Sequence, residues 1–284
     1  MNNAQVHKRT VSVCKDSINS ILSMFSYMLS SLFYMEKIKV GIIGAGSISS
    51  AHVNAYLQCE DAEIIAICDI KPGRAEEKAK SHNMDVTKIK FYEDYKELLA
   101  NPDVDAVSIC VWNNQHAEIS IAALNAGKHV LCEKPPAITV EQAEAMKQAS
   151  IDNQKLLMIG FVRRFGSDVE TAKDFIDMGV IGKIYYAKTA CLRRRGNPGG
   201  WFSDKSRSGG GPLIDLGVHM IDLARYLMGK PNPVTVSGST FNSIGMDESV
   251  KGYNWYKSAD FSPETNVEDM ADAAHMLSDM FEKA

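Results

Sequence analysis

Residues 40–47 read Val40-Gly41-Ile42-Ile43-Gly44-Ala45-Gly46-Ser47, a short apolar run that ends in a glycine-rich turn. Such a run is typical of a strand buried on both faces, and glycine lets the chain turn sharply after it. Backbone N–H groups at the start of a following helix favour a pyrophosphate. The stretch therefore predicts the first strand, turn and helix of a dinucleotide-binding α/β domain.

The turn has the pattern GxGxxS, with Ser49 where a third glycine is usual. That glycine lets helix and strand pack closely, and serine is small enough to take its place. We predict that Gly44, Gly46, Ser47 and Ile48 hold the cofactor at the start of the helix.

A second predicted strand ends at Asp69, where an acidic side chain suits the ribose hydroxyls of NAD and repels the 2′-phosphate of NADP. Lys71 and Arg74 lie nearby and weaken that preference. Alternatively, Asp69 is a turn residue ahead of Lys71-Pro72-Gly73. We predict NAD as the cofactor, with NADP less favoured.

Strand and helix patterns alternate from residue 38 to residue 160. The predicted strands are Ile38–Ile43, Glu63–Cys68, Ala106–Val111, His129–Cys132 and Leu156–Gly160. One helix is predicted over His116–Ala126 with a stop at Gly127, and Thr139 with Gln142 forms a capping box before another. This βαβ series predicts a parallel, doubly wound sheet. Farther on, Lys183–Leu192 and Val234–Phe241 have the alternation of strands in an open sheet with one covered face.

Composition excludes some functions. The 284 residues carry a net charge of −4 and are 45% hydrophobic, which is ordinary for a globular protein and argues against nucleic-acid binding. The six cysteines have no CxxC spacing, and we interpret those in apolar runs as core residues. We predict a cytoplasmic protein with no metal site and no membrane partner.

The two ends differ from the rest. Residues 1–34 are apolar but broken by serines, and a signal peptide and a single-pass anchor both fit poorly. We interpret them as an extension that is disordered or precedes the native start at Met35. Near the other end, Val267–Phe281 has the apolar spacing of a closing amphipathic helix.

Several motifs together resemble the Gfo/Idh/MocA (glucose–fructose oxidoreductase / inositol dehydrogenase) family over about residues 37–242. They are Glu133-Lys134-Pro135, Asn113-Asn114-Gln115-His116 with Ala126-Gly127-Lys128-His129-Val130, Gly160-Phe161-Val162-Arg163-Arg164-Phe165 and Gly209–His219. Val111-Trp112 departs from the Thr-Pro that is usual in the family.

The resemblance implies an NAD-binding Rossmann domain over residues 35–160. It also implies an α/β domain with a mainly antiparallel open sheet over 161–284, which is shorter here than in the family, and a possible homo-oligomer formed through that sheet. Asn113, His116, Glu133, Lys134 and Arg164 are implied to contact the cofactor, and the Lys134–Pro135 peptide bond to be cis.

Alcohol oxidation also needs a group to stabilise the alkoxide and a base. Lys134 at its strand end fits the first role better than that of a surface lysine. Residues 212–228 predict a largely buried helix on which Asp215, His219, Asp222 and Tyr226 share one line. We predict His219 as the proton acceptor. Asp215 is either its partner, which orients it and favours its charged form, or a substrate contact. A structural Asp–His pair is the alternative.

These residues predict an NAD(P)-dependent oxidoreductase that moves a hydride between nicotinamide and a secondary alcohol of a sugar, cyclitol or related polyol. The alternative is a catalytically inactive, NAD-binding relative. Arg193, Arg194, Arg195 and Trp201 lie near a predicted loop, where they either reach a substrate or are simply part of the loop.

Overall fold

The computed structural model describes residues 37–192 and 200–240. The strands are β1 (Ile38–Ile43), β2 (Ala62–Cys68), β3 (Lys90–Tyr92), β4 (Ala106–Ile109), β5 (His129–Cys132) and β6 (Leu157–Ile159). The helices are α1 (Ser49–Leu57), α2 (Arg74–Ser81), α3 (Tyr95–Leu99), α4 (His116–Asn125), α5 (Val140–Asp152), α6 (Ser167–Asp177), α7 (Lys205–Ser208) and α8 (Val218–Leu227). Short 3₁₀ turns cover Val86–Lys88, Asn113–Gln115, Val162–Phe165 and Gly200–Ser203, and a π-helical turn, Leu213–Gly217, leads into α8.

The six strands form one parallel sheet in the order β3-β2-β1-β4-β5-β6. This confirms the predicted doubly wound sheet, and β1 and β5 have the predicted bounds. The sequence did not predict β3, because its three residues carry no apolar run and Lys90 is exposed. Strands are added to one side of β1 up to β3 and to its other side from β4 onwards, and open α/β sheets bind their ligands at this point of reversal.

Two apolar clusters cover the two faces of the sheet. Neighbouring residues of β1, Ile42 and Ile43, belong to opposite clusters, as the alternation of side chains along a strand requires. Helix α1 contributes Val53 to the cluster around Ile42, whereas α4 contributes Leu124 to the cluster around Ile43. Strands buried on both faces explain the continuous apolar runs in the sequence.

The predicted helix signals are also confirmed. Helix α4 ends one residue before Ala126, and Gly127 adopts a φ of 75°, which suits the glycine stop. Thr139 caps α5 by accepting from the Gln142 N–H at 3.3 Å, and the Gln142 side chain accepts from the Ile138 N–H at 3.2 Å. These caps satisfy backbone donors that the first turn leaves unpaired.

The predicted strands beyond the sheet are not found in the described residues. Residues 183–192 and 234–240 form no strand, and Tyr185 and Val234 are 92% and 98% exposed. An alternating pattern becomes a strand when a neighbour pairs with its backbone, and no described segment pairs with these residues. The predicted antiparallel sheet is therefore absent from the part of the chain that the structure describes.

The chain divides into two units. Of the described residues, 37–191 and 206–234 belong to the first unit and the rest to the second. In the second unit Trp201 stacks on Phe202 with ring centroids 4.0 Å apart.

The predicted domain limits, 35–160 and 161–284, stay a prediction. The extension over 1–34, Arg193 to Arg195 and the Val267–Phe281 helix lie outside the described residues. Among residues 37–192 and 200–240, no helix is long and apolar enough to span a bilayer.

The two glycines of the first turn give a matched test of the fold. Gly44 has a φ of 96°, and a Cβ on it would lie 2.5 Å from the Cys110 carbonyl oxygen, whereas a Cβ on Gly46 would meet nothing within 4 Å. We expect Gly44→Ala to destabilise the protein by about 3 kcal/mol through strain and overlap, which is roughly a 10 °C fall in Tm. Gly46→Ala should change stability by less than about 1 kcal/mol.

Thermal melts followed by circular dichroism measure both variants. Equal melting temperatures for Gly44→Ala and Gly46→Ala would contradict the geometry of this turn.

Candidate active site

The carboxyl ends of four strands bring most of the predicted site residues to one edge of the sheet. Because β1, β2, β4 and β5 run parallel, the glycine-rich turn, Asp69, Asn113 and Glu133 all follow their strands at that edge. Residues as far apart in the sequence as Gly44 and Glu133, 89 positions, thus lie at one edge because their strands run in the same direction.

Asp69 holds the glycine-rich turn in place. Its carboxylate is 7% exposed and accepts from the Ala45 N–H at 2.8 Å and from the Lys71 N–H at 2.9 Å. Arg74 lies 3.7 Å away. Each carboxylate oxygen can accept a further hydrogen bond. The turn role and the ribose role considered from sequence are therefore compatible.

The start of α1 fits the pyrophosphate of a dinucleotide. Its N-cap residue, Ile48, makes no side-chain capping bond and is 45% exposed. Gly46 leaves open the space that a Cβ would fill. Uncapped N–H groups beside a side-chain-free surface are what an anion needs for close approach to a helix N-terminus.

The loop after β4 is fastened on both sides. Asn113, which is buried, donates to the Ser208 carbonyl oxygen at 2.8 Å, and the Arg207 guanidinium lies 4.2 Å from the centre of the Trp112 ring. Trp112 stands where the family usually has proline, and here it offers a flat face to a cation. Segment 206–208 is thereby held against the end of β4.

His116 lies inside the protein. Its Nδ1 is 2.6 Å from the Pro135 carbonyl oxygen and its Nε2 is 3.2 Å from that of Val111, and the residue is 1% exposed. Burial lowers the pKa of His116, although the two carbonyl oxygens oppose that shift. The side chain supports the turn after β5, so its predicted cofactor contact stays a prediction.

The side chain of Glu133 belongs to a buried hydrogen-bond network that the sequence did not predict. Its Oε1 lies 3.0 Å from His52 Nε2, His52 Nδ1 lies 3.2 Å from Ser108 Oγ, and the hydroxyl of Tyr56 lies 2.6 Å from Ser108. The signal was present: His52 and Tyr56 are one turn apart on α1, and Ser108 interrupts an apolar strand. Matching these positions required knowledge of which helix packs on which strand.

Lys134 is paired with Asp215. Its Nζ donates to Asp215 Oδ1 at 2.8 Å and to the Asp215 carbonyl oxygen at 3.1 Å, and both side chains are less than a fifth exposed. The Lys134–Pro135 peptide bond is cis, as the resemblance implied. The structure therefore joins the end of β5 to the turn that precedes α8.

The prediction that Asp215 holds His219 in its charged, protonated form is wrong. Asp215 lies in a π-helical turn and pairs with Lys134, so the spacing of a regular α-helix does not apply. Burial, followed by the positive charges of Lys134 and Arg163, lowers the pKa of His219 to about 4. The imidazole is therefore neutral at pH 7. Among the described residues its Nδ1 is buried without a hydrogen-bond partner.

Helix α8 is also more open than predicted. No side chain of α8 is buried among the described residues. Ile221 on α8 is 53% exposed, and Leu213 in the preceding π-helical turn is 60% exposed. The expectation of a largely buried helix is therefore wrong for the described residues. The contacts that α8 makes there with distant parts of the chain come from the polar residues on its predicted line, not from its apolar ones. There, Asp222 receives two hydrogen bonds from Arg164, whose guanidinium lies 5.4 Å from the Tyr226 ring.

This arrangement of Arg164 was not predicted. The bond with Asp222 raises the pKa of Arg164, and the pair joins the turn after β6 to α8. A cofactor contact by Arg164 stays a prediction.

The charge state of His219 can be measured directly. We expect the imidazole to titrate near pH 4 and Lys134→Met to raise its pKa towards 6.5, because one neighbouring positive charge is removed. Since the unfolded imidazole titrates near 6.5, His219 contributes stability above pH 6.5 that is lost as pH falls towards 4. Long-range ¹⁵N–¹H NMR gives the pKa, and His219→Gln assigns the signal.

Lys80→Met is the control for that experiment, since it removes an exposed lysine that pairs with Glu76. A pKa of His219 near 6.5 in the unaltered protein, or no response to Lys134→Met, would refute this description of the site.

Known proteins share this arrangement of sequence and fold. Residues 38–161 match an oxidoreductase family with an NAD-binding Rossmann fold, and residues 169–276 match the GFO/IDH/MocA C-terminal domain. The chain is 36% identical over 232 residues to D-glucoside 3-dehydrogenase of Escherichia coli, covering 81% of this chain and 65% of that protein. It is 32% identical over 192 residues to myo-inositol 2-dehydrogenase of Thermotoga maritima, covering 68% and 55%.

A solved levoglucosan dehydrogenase in complex with NADH superposes with a TM-score of 0.57 at 32% identity, covering 68% of this chain and 54% of that one. The chain thus spans about half to two thirds of the length of these relatives. Two family matches, one on each side of residue 165, account for most of the sequence. The chain belongs to the Gfo/Idh/MocA family of oxidoreductases, with an NAD-binding Rossmann fold in its N-terminal part.

Proposed function

We propose that the protein is an NAD-dependent dehydrogenase that oxidises a secondary alcohol of a sugar, cyclitol or related polyol. The observation that carries the proposal is the meeting of Lys134, Asp215 and His219 at the carboxyl edge of a sheet that also holds an open glycine-rich turn. Bound NAD would supply the hydride acceptor. The chain's own residues would position the alcohol and accept its proton.

The adenosine half of the cofactor belongs over β1 and β2. Gly44, Gly46, Ser47 and Ile48 would receive the pyrophosphate, and Asp69 the ribose hydroxyls. The already bonded carboxylate of Asp69 disfavours a 2′-phosphate, which supports NAD over NADP. The nicotinamide half then belongs over β4 and β5, beside Glu133 and Lys134.

Lys134 is suited to stabilise the developing alkoxide. An ammonium group has three N–H donors, and the described contacts direct two of them to Asp215. The third can donate to the substrate oxygen while Asp215 keeps the side chain in place. Fixed donors in a partly enclosed site stabilise charge in the transition state without reorganising.

His219 is suited to accept the hydroxyl proton. A base must be unprotonated at the working pH, and the lowered pKa of His219 keeps it neutral at pH 7. The same Lys134 that lowers this pKa would also favour loss of the proton from the substrate. Asp215 acts on His219 through Lys134 in this scheme.

The substrate class rests on the relatives, whose names describe action on a glucoside, an inositol and levoglucosan. We propose that residues 161–284 contribute an α/β domain with a mainly antiparallel sheet that meets the substrate and a second copy of the chain. Asn113, His116, Glu133 and Arg164 would surround the cofactor, and the cytoplasm is the expected location.

Cofactor preference is tested by thermal melts of the full chain with NADH and NADPH. We expect NADH to raise the melting temperature more than NADPH, because the carboxylate of Asp69 repels a 2′-phosphate. A ligand at a hundred times its Kd stabilises the folded protein by about 2.7 kcal/mol. Asp69→Asn keeps an acceptor for the turn but removes the charge. It should therefore reduce the difference between the melting temperatures with NADH and with NADPH. Gly46→Ala should melt normally and lose much of the NADH effect.

If neither cofactor shifts the melt of the unaltered chain, the cofactor site described above is wrong.

Turnover is tested by following the absorbance of NADH as it forms from NAD with a panel of glucosides, inositols and other polyols. We expect Lys134→Met and His219→Gln each to lower kcat by about 10²-fold or more while NADH binding persists. Lys80→Met, an exposed lysine on α2, should match the unaltered protein.

Full activity in both Lys134→Met and His219→Gln would refute the assigned roles. NADH binding without turnover across the panel would favour the alternative, a catalytically inactive relative that binds NAD.

A further inference from the structure

Hydrogen bonds link four buried side chains in a row that ends beside the proposed nicotinamide site. It runs from Tyr56 on α1 through Ser108 on β4 and His52 on α1 to Glu133 at the end of β5, with contacts of 2.6, 3.2 and 3.0 Å. We call these residues the His52 network. Its members are 0–7% exposed, and none of them takes part in the proton transfer proposed above.

The network joins the elements on either side of the point where the sheet reverses. Helix α1 follows β1, whereas Ser108 lies on β4 and Glu133 follows β5. His52 uses both of its ring nitrogens, one towards Ser108 and one towards Glu133. It therefore fixes the distance between the helix that would carry the pyrophosphate and the strand end that carries Lys134.

Electrostatics strengthen the contact with Glu133. Burial by itself would lower the pKa of His52, but Cys110 and the hydrogen-bonded Glu133 raise it to about 10. Burial would likewise raise the pKa of Glu133, but the bond to His52 and the nearby Lys134 lower it. A buried carboxylate keeps its charge and its orientation when a cation donates to it.

Glu133 passes this constraint to the active site. Its Oε1 faces His52, and its Oε2 accepts from the Lys134 backbone N–H at 3.2 Å. A carboxylate held at both oxygens cannot rotate, so its remaining acceptor sites point in fixed directions. Lys134, which follows it directly, begins from a fixed backbone position.

We propose that His52 is a positioning residue that holds Glu133 and Lys134 in the geometry that the nicotinamide half of the cofactor requires. The inference rests on the proposed function and adds a residue to it. His52 itself is buried and would touch neither cofactor nor substrate. Its loss should therefore weaken recognition of the nicotinamide half and leave the adenosine half unchanged.

Two substitutions test the roles of the two ring nitrogens of His52 independently. In His52→Gln the amide nitrogen takes the place of Nε2 and can still donate to Glu133, whereas in His52→Asn it takes the place of Nδ1 and reaches only towards Ser108. The ligands are NADH and ADP, which lacks both the nicotinamide and its ribose. Isothermal titration calorimetry of the full chain gives both dissociation constants.

We expect His52→Asn to raise the Kd of NADH about tenfold, as loss of a hydrogen bond to a charged group implies. The Kd of ADP should stay within about twofold, since no bond in the adenosine half changes. His52→Gln should keep the Kd of NADH within about threefold. Asp69→Asn is the opposite control, because it should weaken both ligands alike.

Glu133→Gln keeps the test decisive if His52→Asn does not fold, since it alters charge at the end of β5 without changing shape. It should reproduce the selective loss of NADH affinity. The proposal is overturned by equal losses for NADH and ADP in His52→Asn, by no loss in Glu133→Gln, or by a His52→Gln variant that behaves like His52→Asn. Failure of the unaltered chain to bind either ligand would instead refute the proposed function.

Discussion

Parallel pairing of β1 with β4 is the constraint on which the site depends. Because all six strands point the same way, every loop that follows a strand emerges at one edge. The order reverses between β1 and β4, so the loops there diverge and leave room for a ligand. Gly44 allows the chain to leave β1 at this point, since its close approach to the Cys110 carbonyl oxygen excludes a side chain. The site is a consequence of the sheet and needs no separate scaffold.

Ion pairs then fasten separate elements to that edge. Lys134 with Asp215 and Arg164 with Asp222 join the ends of β5 and β6 to α8 and its preceding turn. Partly buried pairs of this kind fix geometry more than they add stability, because desolvation offsets much of their attraction. Asp215 pairs with Lys134, and burial, followed by the positive charges of Lys134 and Arg163, lowers the pKa of His219 more than Glu133 and Asp215 raise it. A neutral imidazole beside a fixed cation is the arrangement on which the proposed proton transfer rests.

Prediction from sequence succeeded where local chemistry is sufficient. The apolar run of β1, the glycine stop after α4 and the Thr139 cap all depend on residues within one turn or one strand, and each was found at its predicted place. It failed where the outcome depends on a neighbour. Strand β3 exists because β2 offers it a partner. Residues 183–192 have an alternating pattern but pair with no described segment.

The sequence by itself determined the order of β1, β2, β4, β5 and β6, the glycine-rich turn, the acidic end of β2 and the lysine at the end of β5, since each is specified by residues that are close in the chain. Only the tertiary structure decided which charges meet. It paired Asp215 with Lys134 instead of with His219, and it brought His52 to Glu133 across 81 residues. The physical reason is that burial and pairing set the strength and direction of electrostatic interactions, and both depend on packing between distant segments.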